Sequence, residues 1–130
     1  MAISSSDQAD GSRIAPIAWE GDSKEILSGF PKDVKKNLGF SLRLLQQGLQ
    51  PIDYRPLQSI GRGVFELRDA DERSWYRVVY LSRVKDTIYV LHCFEKKSRE
   101  MPKRDAETAR RRLKAVQERV RMEKRHGKQV

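Results

Sequence analysis

The stretch that decides the fold runs from residue 64 to residue 94 and reads VFELRDADERSWYRVVYLSRVKDTIYVLHCF. It is rich in β-branched and aromatic residues, and polar turns at residues 69–72 and near Lys85 and Asp86 divide it into three runs. Links this short favour β-hairpins. We therefore predict an antiparallel meander of three strands, over residues 64–68, 74–81 and 87–94.

Upstream of the meander, the sequence predicts a short strand over residues 14–19 and then two helices. Asp22 and Glu25 have the spacing of a capping box, which predicts a helix that Gly29 ends. Pro31 suits the first position of a second helix. The apolar face of this second helix follows from the spacing of Val34, Leu38, Leu42, Leu45 and Leu49. We expect the two helices to cover one face of the sheet, because a small open sheet cannot stay exposed.

Downstream of the meander, a long basic helix is predicted over residues 102–125. Its narrow apolar stripe, which can dock on the sheet or on a partner protein, consists of Ala106, Ala109, Leu113, Val116 and Val120. The predicted fold is thus a small α+β domain with the order β-α-α-β-β-β-α. We place this single domain at residues 13–125, between disordered tails at residues 1–12 and 126–130.

The net charge of the chain is concentrated at its C-terminal end. Residues 1–95 carry 13 Lys and Arg and 13 Asp and Glu, so their net charge is zero. Residues 96–130 carry 14 basic and 5 acidic residues, and their net charge of +9 is the formal charge of the whole protein. A neutral body with one strongly basic end suits a protein that binds a polyanion, and a solvated helix that serves solubility is the alternative.

Several classes of protein are excluded or disfavoured by simple features of the sequence. No apolar run approaches the roughly 20 residues that cross a bilayer. Two histidines far apart and one cysteine do not make a dedicated metal site. The segment from Gly61 to Gly63 is too short for a nucleotide-binding loop, so we predict no cofactor. The single Cys93 fits a reducing cytoplasm, where we expect the protein to act.

Arg77 is the most informative candidate for a functional site, because its charge is costly to bury unpaired within an apolar strand. One interpretation places Arg77 on the solvent face, paired with Glu66 across the strands. The functional interpretation brings four cations to one concave face that holds a phosphate: Arg68, Arg77, Lys96 and Lys97. His92 shares its strand parity with Ile88, Val90 and Phe94, and is either an interior imidazole or a functional one. Tyr80 either packs in the core or stacks on bases.

The sequence resembles a known family at motifs that occur in a fixed order along residues 14–120. These motifs are Trp19-x-Gly21-x-Ser23-Lys24, Phe30-Pro31, Leu42-Arg43-x-x-Gln46-x-Gly48, Pro56-Leu57, Gly63-Val64-x-Glu66-Leu67-Arg68, Tyr76-Arg77-x-x-Tyr80, Ile88-Tyr89-Val90-Leu91-His92-x-Phe94-x-Lys96-Lys97-Ser98 and Pro102-Lys103. They are similar to those of the phage-derived HigB-type toxins of the RelE/ParE superfamily.

This resemblance implies a RelE-like fold and a toxin of a type II toxin–antitoxin pair. The implied activity is a metal-independent endoribonuclease that cleaves mRNA on the ribosome, and the implied partner is a helix-turn-helix antitoxin. The implied catalytic residues are Arg77, His92, Lys96 and Lys97. The residues implied to contact phosphate or RNA are Arg68, Tyr80, Arg99, Lys103 and Arg104. Such residues suit attack of a ribose 2′-OH on phosphorus, because the extra charge of the phosphorane needs cationic donors.

Two alternatives remain open from the sequence: a ParE-type toxin that inhibits DNA gyrase, and a nucleic-acid-binding module without catalysis. The chain also departs from the resembling toxins at Met101, where a threonine often caps the last helix. Since Met101 cannot accept an amide proton, we expect that helix to begin later, with Asp105 as its cap.

Overall fold

The computed structural model describes residues 14–129, except for the side chains of residue 83 and of residues 125–129. Within them lie five strands and three helices, in the order β1 Ile17–Trp19, α1 Ser23–Ser28, α2 Lys32–Gln46, β2 Tyr54–Pro56, β3 Val64–Ala70, β4 Trp75–Val84, β5 Thr87–Lys96 and α3 Lys103–Gln129. This confirms the predicted α+β class. The predicted N-terminal tail lies outside the described residues, and α3 continues past the predicted end at residue 125, through part of the predicted C-terminal tail.

The five strands form one sheet in the order β1-β5-β4-β3-β2. The predicted meander is present as β3, β4 and β5, which pair antiparallel. Two details differ from the prediction. Strand β1 pairs parallel with β5 and lies next to it at one edge, whereas the chain returns from the two helices to β2 at the opposite edge. Strand β2 is an additional edge strand of three residues on β3, and its Pro56 and short length hid it from the sequence pattern.

Helices cover both faces of the sheet. The face against α1 and α2 packs side chains such as Leu38 and Leu42 of α2 onto Leu67, Val78 and Val90 of the sheet. The opposite face packs the apolar stripe of α3 onto a second set of sheet residues, Val64, Val79, Leu81, Leu91 and Phe94. The narrow stripe predicted for the basic helix therefore docks on this protein's own sheet.

A β-bulge at Leu91 changes which side chains of β5 face α3. Val79 of β4 stands opposite His92, whereas the next residue, Tyr80, stands opposite Val90, so Leu91 is the extra residue in β5. As a result, Val90 faces α1 and α2, whereas His92 reaches across to α3. The predicted common face for His92 and Val90 is therefore wrong.

Helix α3 is held in place by polar contacts on the side that faces β1 and α1. Arg112 donates to the carbonyl of Leu91 at 3.0 Å and to Asp22 at 3.0 Å. Arg119 donates through both terminal nitrogens to the carboxylate of Glu20. Gly21, at a φ of +56°, leaves room for the Arg112 guanidinium where a Cβ would collide with it. The carboxylate of Asp22 has a lowered pKa, chiefly because Arg112 donates to it.

The start of α3 lies within one residue of the predicted residue 102, and the later start with Asp105 as the cap is wrong. The helix begins at Lys103, and the amide of Ala106 donates to the carbonyl of Pro102 at 3.0 Å. Asp105 therefore lies in the first turn, not at the cap, and its carboxylate contacts His92 instead. No helix within the described residues is long and apolar enough to span a membrane.

Candidate phosphate-binding site

A cavity of about 460 Å³ opens on the α3 face of the sheet, beyond the N-terminal end of α3. Seven residues line it: Arg55, Glu66, Arg68, Trp75, Arg77, Lys96 and Arg99. The strand register explains most of this grouping, since Arg55 pairs with Glu66, Arg68 with Arg77, and Trp75 with Lys96. Residues opposite one another on neighbouring strands share a face of the sheet. Five cations and one carboxylate give the cavity a formal charge of +4 when all are ionised.

Arg77 lies at the centre of the cavity wall and is only 5% exposed. Arg68 stands directly opposite it on β3, although like charges in such a cross-strand pair repel. Within the described residues, two buried side-chain nitrogen or oxygen atoms have no hydrogen-bond partner, and these are the Nε atoms of Arg68 and Arg77. A buried donor without a partner is unfavourable, so both atoms suit an anionic ligand that accepts their hydrogens.

Glu66 supplies the carboxylate of the cavity. It is 8% exposed, and its Oε1 lies 3.7 Å from the Nε of Arg77. The pairing of Arg77 with Glu66 that the sequence suggested is thus present, but on a buried face and not on a solvent face. One carboxylate among five cations leaves most of the positive charge uncompensated, and it also provides the cavity with a proton acceptor.

Lys96 completes the cluster from the end of β5. It is 9% exposed, and its Nζ donates to the carbonyl of Arg99 at 2.7 Å. Burial lowers the pKa of Lys96, and the charge of Arg77 lowers it further, while Glu66 partly opposes both effects. Burial likewise lowers the pKa of Arg77, although a guanidinium stays protonated in proteins. Lys96 is therefore the cavity cation that most readily gives up a proton.

Three side chains line the mouth of the cavity. Trp75 is 39% exposed, and it offers an aromatic surface next to the cations. Arg55 and Arg99 are exposed and lie on β2 and on the segment after β5. Exposed arginines at the entrance of a cationic cavity attract an anionic ligand over a distance of about 10 Å at ordinary salt.

His92, for which the resemblance implied a catalytic role, does not line the cavity. Its Nε2 lies 2.7 Å from Oδ1 of Asp105, and its Nδ1 lies 3.4 Å from a guanidinium nitrogen of Arg112. Because Arg112 can only donate, we assign the imidazole hydrogen to Nε2, where Asp105 accepts it. The ring also stacks on Phe94. His92 thus fastens α3 to the sheet, and the bulge at Leu91 is the reason that it reaches the helix.

Other predicted site residues also lie elsewhere. Lys97 follows Lys96 by one residue, so strand alternation turns it to the other side, where it is exposed and lies 3.9 Å from Glu95. Tyr80 is 2% exposed and stacks on Phe65 in the core against α1 and α2, and burial raises its pKa. Lys103 and Arg104 are exposed on the first turn of α3, and neither lines the cavity.

The structure therefore brings together Arg68, Arg77, Lys96 and Arg99 from the predicted set. It adds three residues that sequence reasoning did not assign to the site: Arg55, Glu66 and Trp75. Glu66 and Trp75 share the face of Arg77 by strand alternation, so the parity of the predicted meander was a signal for both. Arg55 had no such signal, because strand β2 was not predicted. Within the described residues, no group of three or more His, Cys, Asp or Glu side chains is close enough to hold a metal ion.

The fold and this cavity define a small α+β domain with a cationic site that suits an anionic ligand. A family model agrees with that class: the phage-derived protein Gp49-like family (DUF891) matches residues 25–114. The chain belongs to this family, which is a RelE-related, toxin-like family. No curated protein and no solved structure matches the chain significantly.

Proposed function

We propose that this protein is the toxin of a type II toxin–antitoxin pair and that it cleaves mRNA on the translating ribosome without a metal ion. The observation that carries the proposal is the pair of buried arginine Nε atoms without a hydrogen-bond partner, in a cavity of five cations. Membership of a toxin-like family supports it. We expect a helix-turn-helix antitoxin as its partner in the cytoplasm.

The proposed reaction is attack of a ribose 2′-OH on the adjacent phosphorus, with departure of the 5′-oxygen. Arg77 and Arg68 donate to the non-bridging phosphate oxygens, whose charge increases in the transition state. Glu66 accepts the proton of the 2′-OH, because it is the carboxylate of the cavity. Lys96 donates a proton to the leaving 5′-oxygen, and its lowered pKa favours that transfer. Trp75 stacks on a base next to the cut.

The test is primer extension on a defined mRNA in a reconstituted translating system. We expect wild type to cut within the reading frame, and Arg77→Ala and Glu66→Gln to lose at least a hundredfold in rate. Lys97→Ala is the matched control, since Lys97 lies next to Lys96 in sequence but outside the cavity, and it should cut like wild type.

Circular dichroism on each variant separates lost chemistry from lost folding. If Arg77→Ala does not fold, Arg68→Gln serves in its place, because Arg68 is less buried. Cuts that persist in folded Arg77→Ala would contradict the proposal. Growth arrest without any cuts would favour gyrase inhibition, and binding of RNA without cuts or growth arrest would favour a nucleic-acid-binding module.

A further inference from the structure

The two flanks of helix α3, on either side of its apolar stripe, differ sharply in charge. One flank carries Asp105, Arg112 and Arg119 at steps of seven residues, and each of them is paired with β5, Asp22 or Glu20. These pairs hold the helix against the domain and neutralise the charge on that side.

The other flank is predominantly basic, with Glu107 at its border, four residues after Lys103 and three before Arg110. We call it the basic flank, and its positions follow one another at steps of seven, four, three, four and three: Lys103, Arg110, Lys114, Gln117, Arg121 and Lys124. These spacings keep side chains on one side of an α-helix. All six residues are exposed. At 1.5 Å per residue, the row is about 32 Å long.

The basic flank makes few contacts with the rest of the domain. Arg110 donates to the carbonyl of Ser59 in the loop before β3. Among the described residues, Lys103, Lys114, Arg121 and Lys124 form no ion pair. A helix face that serves solubility usually mixes both signs of charge, as the outermost face of α3 does with Glu107 and Glu118. A row of one sign that is left unpaired instead suits a ligand with many negative charges.

We propose that the basic flank of α3 binds the phosphate backbone of double-helical RNA, outside the cavity and without reading base sequence. A straight row of cations on a rigid helix suits a stiff polyanion, and double-stranded RNA is bound mainly through its backbone and shape. Proteins that bind single strands generally add aromatic side chains for stacking. Residues 103–124 contain no Phe, Tyr or Trp, whereas the cavity holds Trp75.

We name RNA and not DNA as the ligand because the protein is proposed to cleave RNA. We name a duplex because of the charge pattern of the basic flank alone. The row begins at Lys103, four residues after Arg99 of the cavity. A duplex on the flank would therefore place an adjoining single strand near the cavity. In that arrangement the flank supplies affinity and the cavity supplies chemistry.

The experiment measures binding by fluorescence anisotropy with a labelled 20-base-pair RNA duplex, a DNA duplex of the same sequence and the RNA single strand. The flank variant is the triple substitution Lys114→Gln, Arg121→Gln and Lys124→Gln, since glutamine preserves helix propensity. The matched control is Lys24→Gln, Lys32→Gln and Lys36→Gln, which removes the same charge from exposed positions of α1 and α2.

Wild type is expected to bind the RNA duplex most tightly. Counterion release predicts that the flank variant loses on the order of 100-fold in affinity at 0.15 M salt, and that its log–log salt slope becomes shallower by about 2.7. The control variant should lose less than about threefold. The proposal would be overturned by equal losses in both triple variants or by unchanged affinity of the flank variant. It would also be overturned by equal binding of the DNA duplex, or by a loss of single-strand affinity in the flank variant as large as its loss of duplex affinity. Preferential binding to anionic phospholipid vesicles or to polyglutamate would also overturn it.

Failure of this inference can be told apart from failure of the proposed function. Folded Arg77→Ala should bind the RNA duplex as wild type does, because Arg77 lies in the cavity and not on the flank. Duplex binding without cleavage by wild type would leave the flank proposal standing and refute the ribonuclease. Cleavage by wild type, together with an unchanged duplex affinity of the flank variant, would support the ribonuclease and refute the flank proposal.

Discussion

Replacing Lys96 by Met should stabilise the fold and abolish RNA cleavage at the same time. Lys96 is 9% exposed and shares the cavity with Arg55, Arg68 and Arg77. Its lowered pKa shows that burial and the neighbouring arginines disfavour its charge more than Glu66 favours it. Methionine has a similar length and no charge, so it relieves the repulsion without leaving a large void.

The size of the effect follows from the charges around Lys96. Two like charges about 6 Å apart repel by roughly 0.7 kcal/mol in water and about 3 kcal/mol at an effective dielectric constant of 20. The cavity is open to solvent, so we take the lower figure for each neighbour. The repulsion of Lys96 by three arginines, reduced by its attraction to one glutamate, then amounts to about 1.4 kcal/mol. Lys96→Met also loses the hydrogen bond to the carbonyl of Arg99, which destabilises the fold by about 1 kcal/mol. It no longer buries an ammonium group, which stabilises the fold by about 1 kcal/mol, so these two effects cancel.

We therefore expect the free energy of unfolding to rise by about 1 kcal/mol, which corresponds to a Tm higher by about 4 °C for a domain of this size. Urea unfolding at pH 7 and low salt measures the gain. Lys97→Met is the matched control and should change stability by less than about 0.5 kcal/mol, because Lys97 is exposed.

The pH dependence gives a second check on the same reasoning. The pKa of Lys96 is below its ordinary 10.5 in the folded state. Unfolding therefore takes up a proton in the range between the two values, and stability rises with pH there. Lys96→Met should lack this rise. The reasoning would be refuted if Lys96→Met lowered the free energy of unfolding by more than 1 kcal/mol, or if it still cleaved RNA at the wild-type rate.

Three further predictions concern the clamp on α3 and the proposed acid. His92→Gln should reduce the free energy of unfolding by about 1–3 kcal/mol but leave cleavage by the folded protein within about threefold of wild type, and lost cleavage at full stability would contradict this. Gly21→Ala should destabilise by about 1–2 kcal/mol in urea unfolding, because of its positive φ and the Arg112 guanidinium, whereas Gly39→Ala, with open space around it, should not destabilise. The wild-type cleavage rate should fall as pH rises through the lowered pKa of Lys96, and a profile that is still flat at pH 10.5, the ordinary pKa of a lysine, would exclude Lys96 as the acid.

Local sequence patterns predicted where most helices and strands lie, but not which partners the charged residues choose. Asp22 and Asp105 both have the character of helix caps, and Asp22 does precede α1. Neither forms the predicted cap, since the side chain of Asp22 binds Arg112, 90 residues later, and that of Asp105 binds His92. Such long-range contacts depend on how α3 packs on the sheet, and no spacing in the sequence encodes that packing.

The candidate site was predictable to the extent that strand alternation determines it. Arg68 and Arg77 converge because they are register partners in a hairpin whose strands were evident from composition. The same alternation places Glu66 on their face. The exposed edge strand β2 brings Arg55 to the cavity, but three residues that include a proline carry too little pattern to predict a strand.

The bulge at Leu91 is what joins Lys96 to the arginine pair. If side chains alternated strictly along β5, Lys96 would lie on the same face of the sheet as Ile88 and Val90, which pack against α1 and α2. The extra residue reverses that parity, so Lys96 stands beside Trp75 on the side of Arg77. Arg112 donates to the carbonyl of Leu91 at the bulge itself. The contact that docks α3 therefore also stabilises the irregularity on which the composition of the cavity depends.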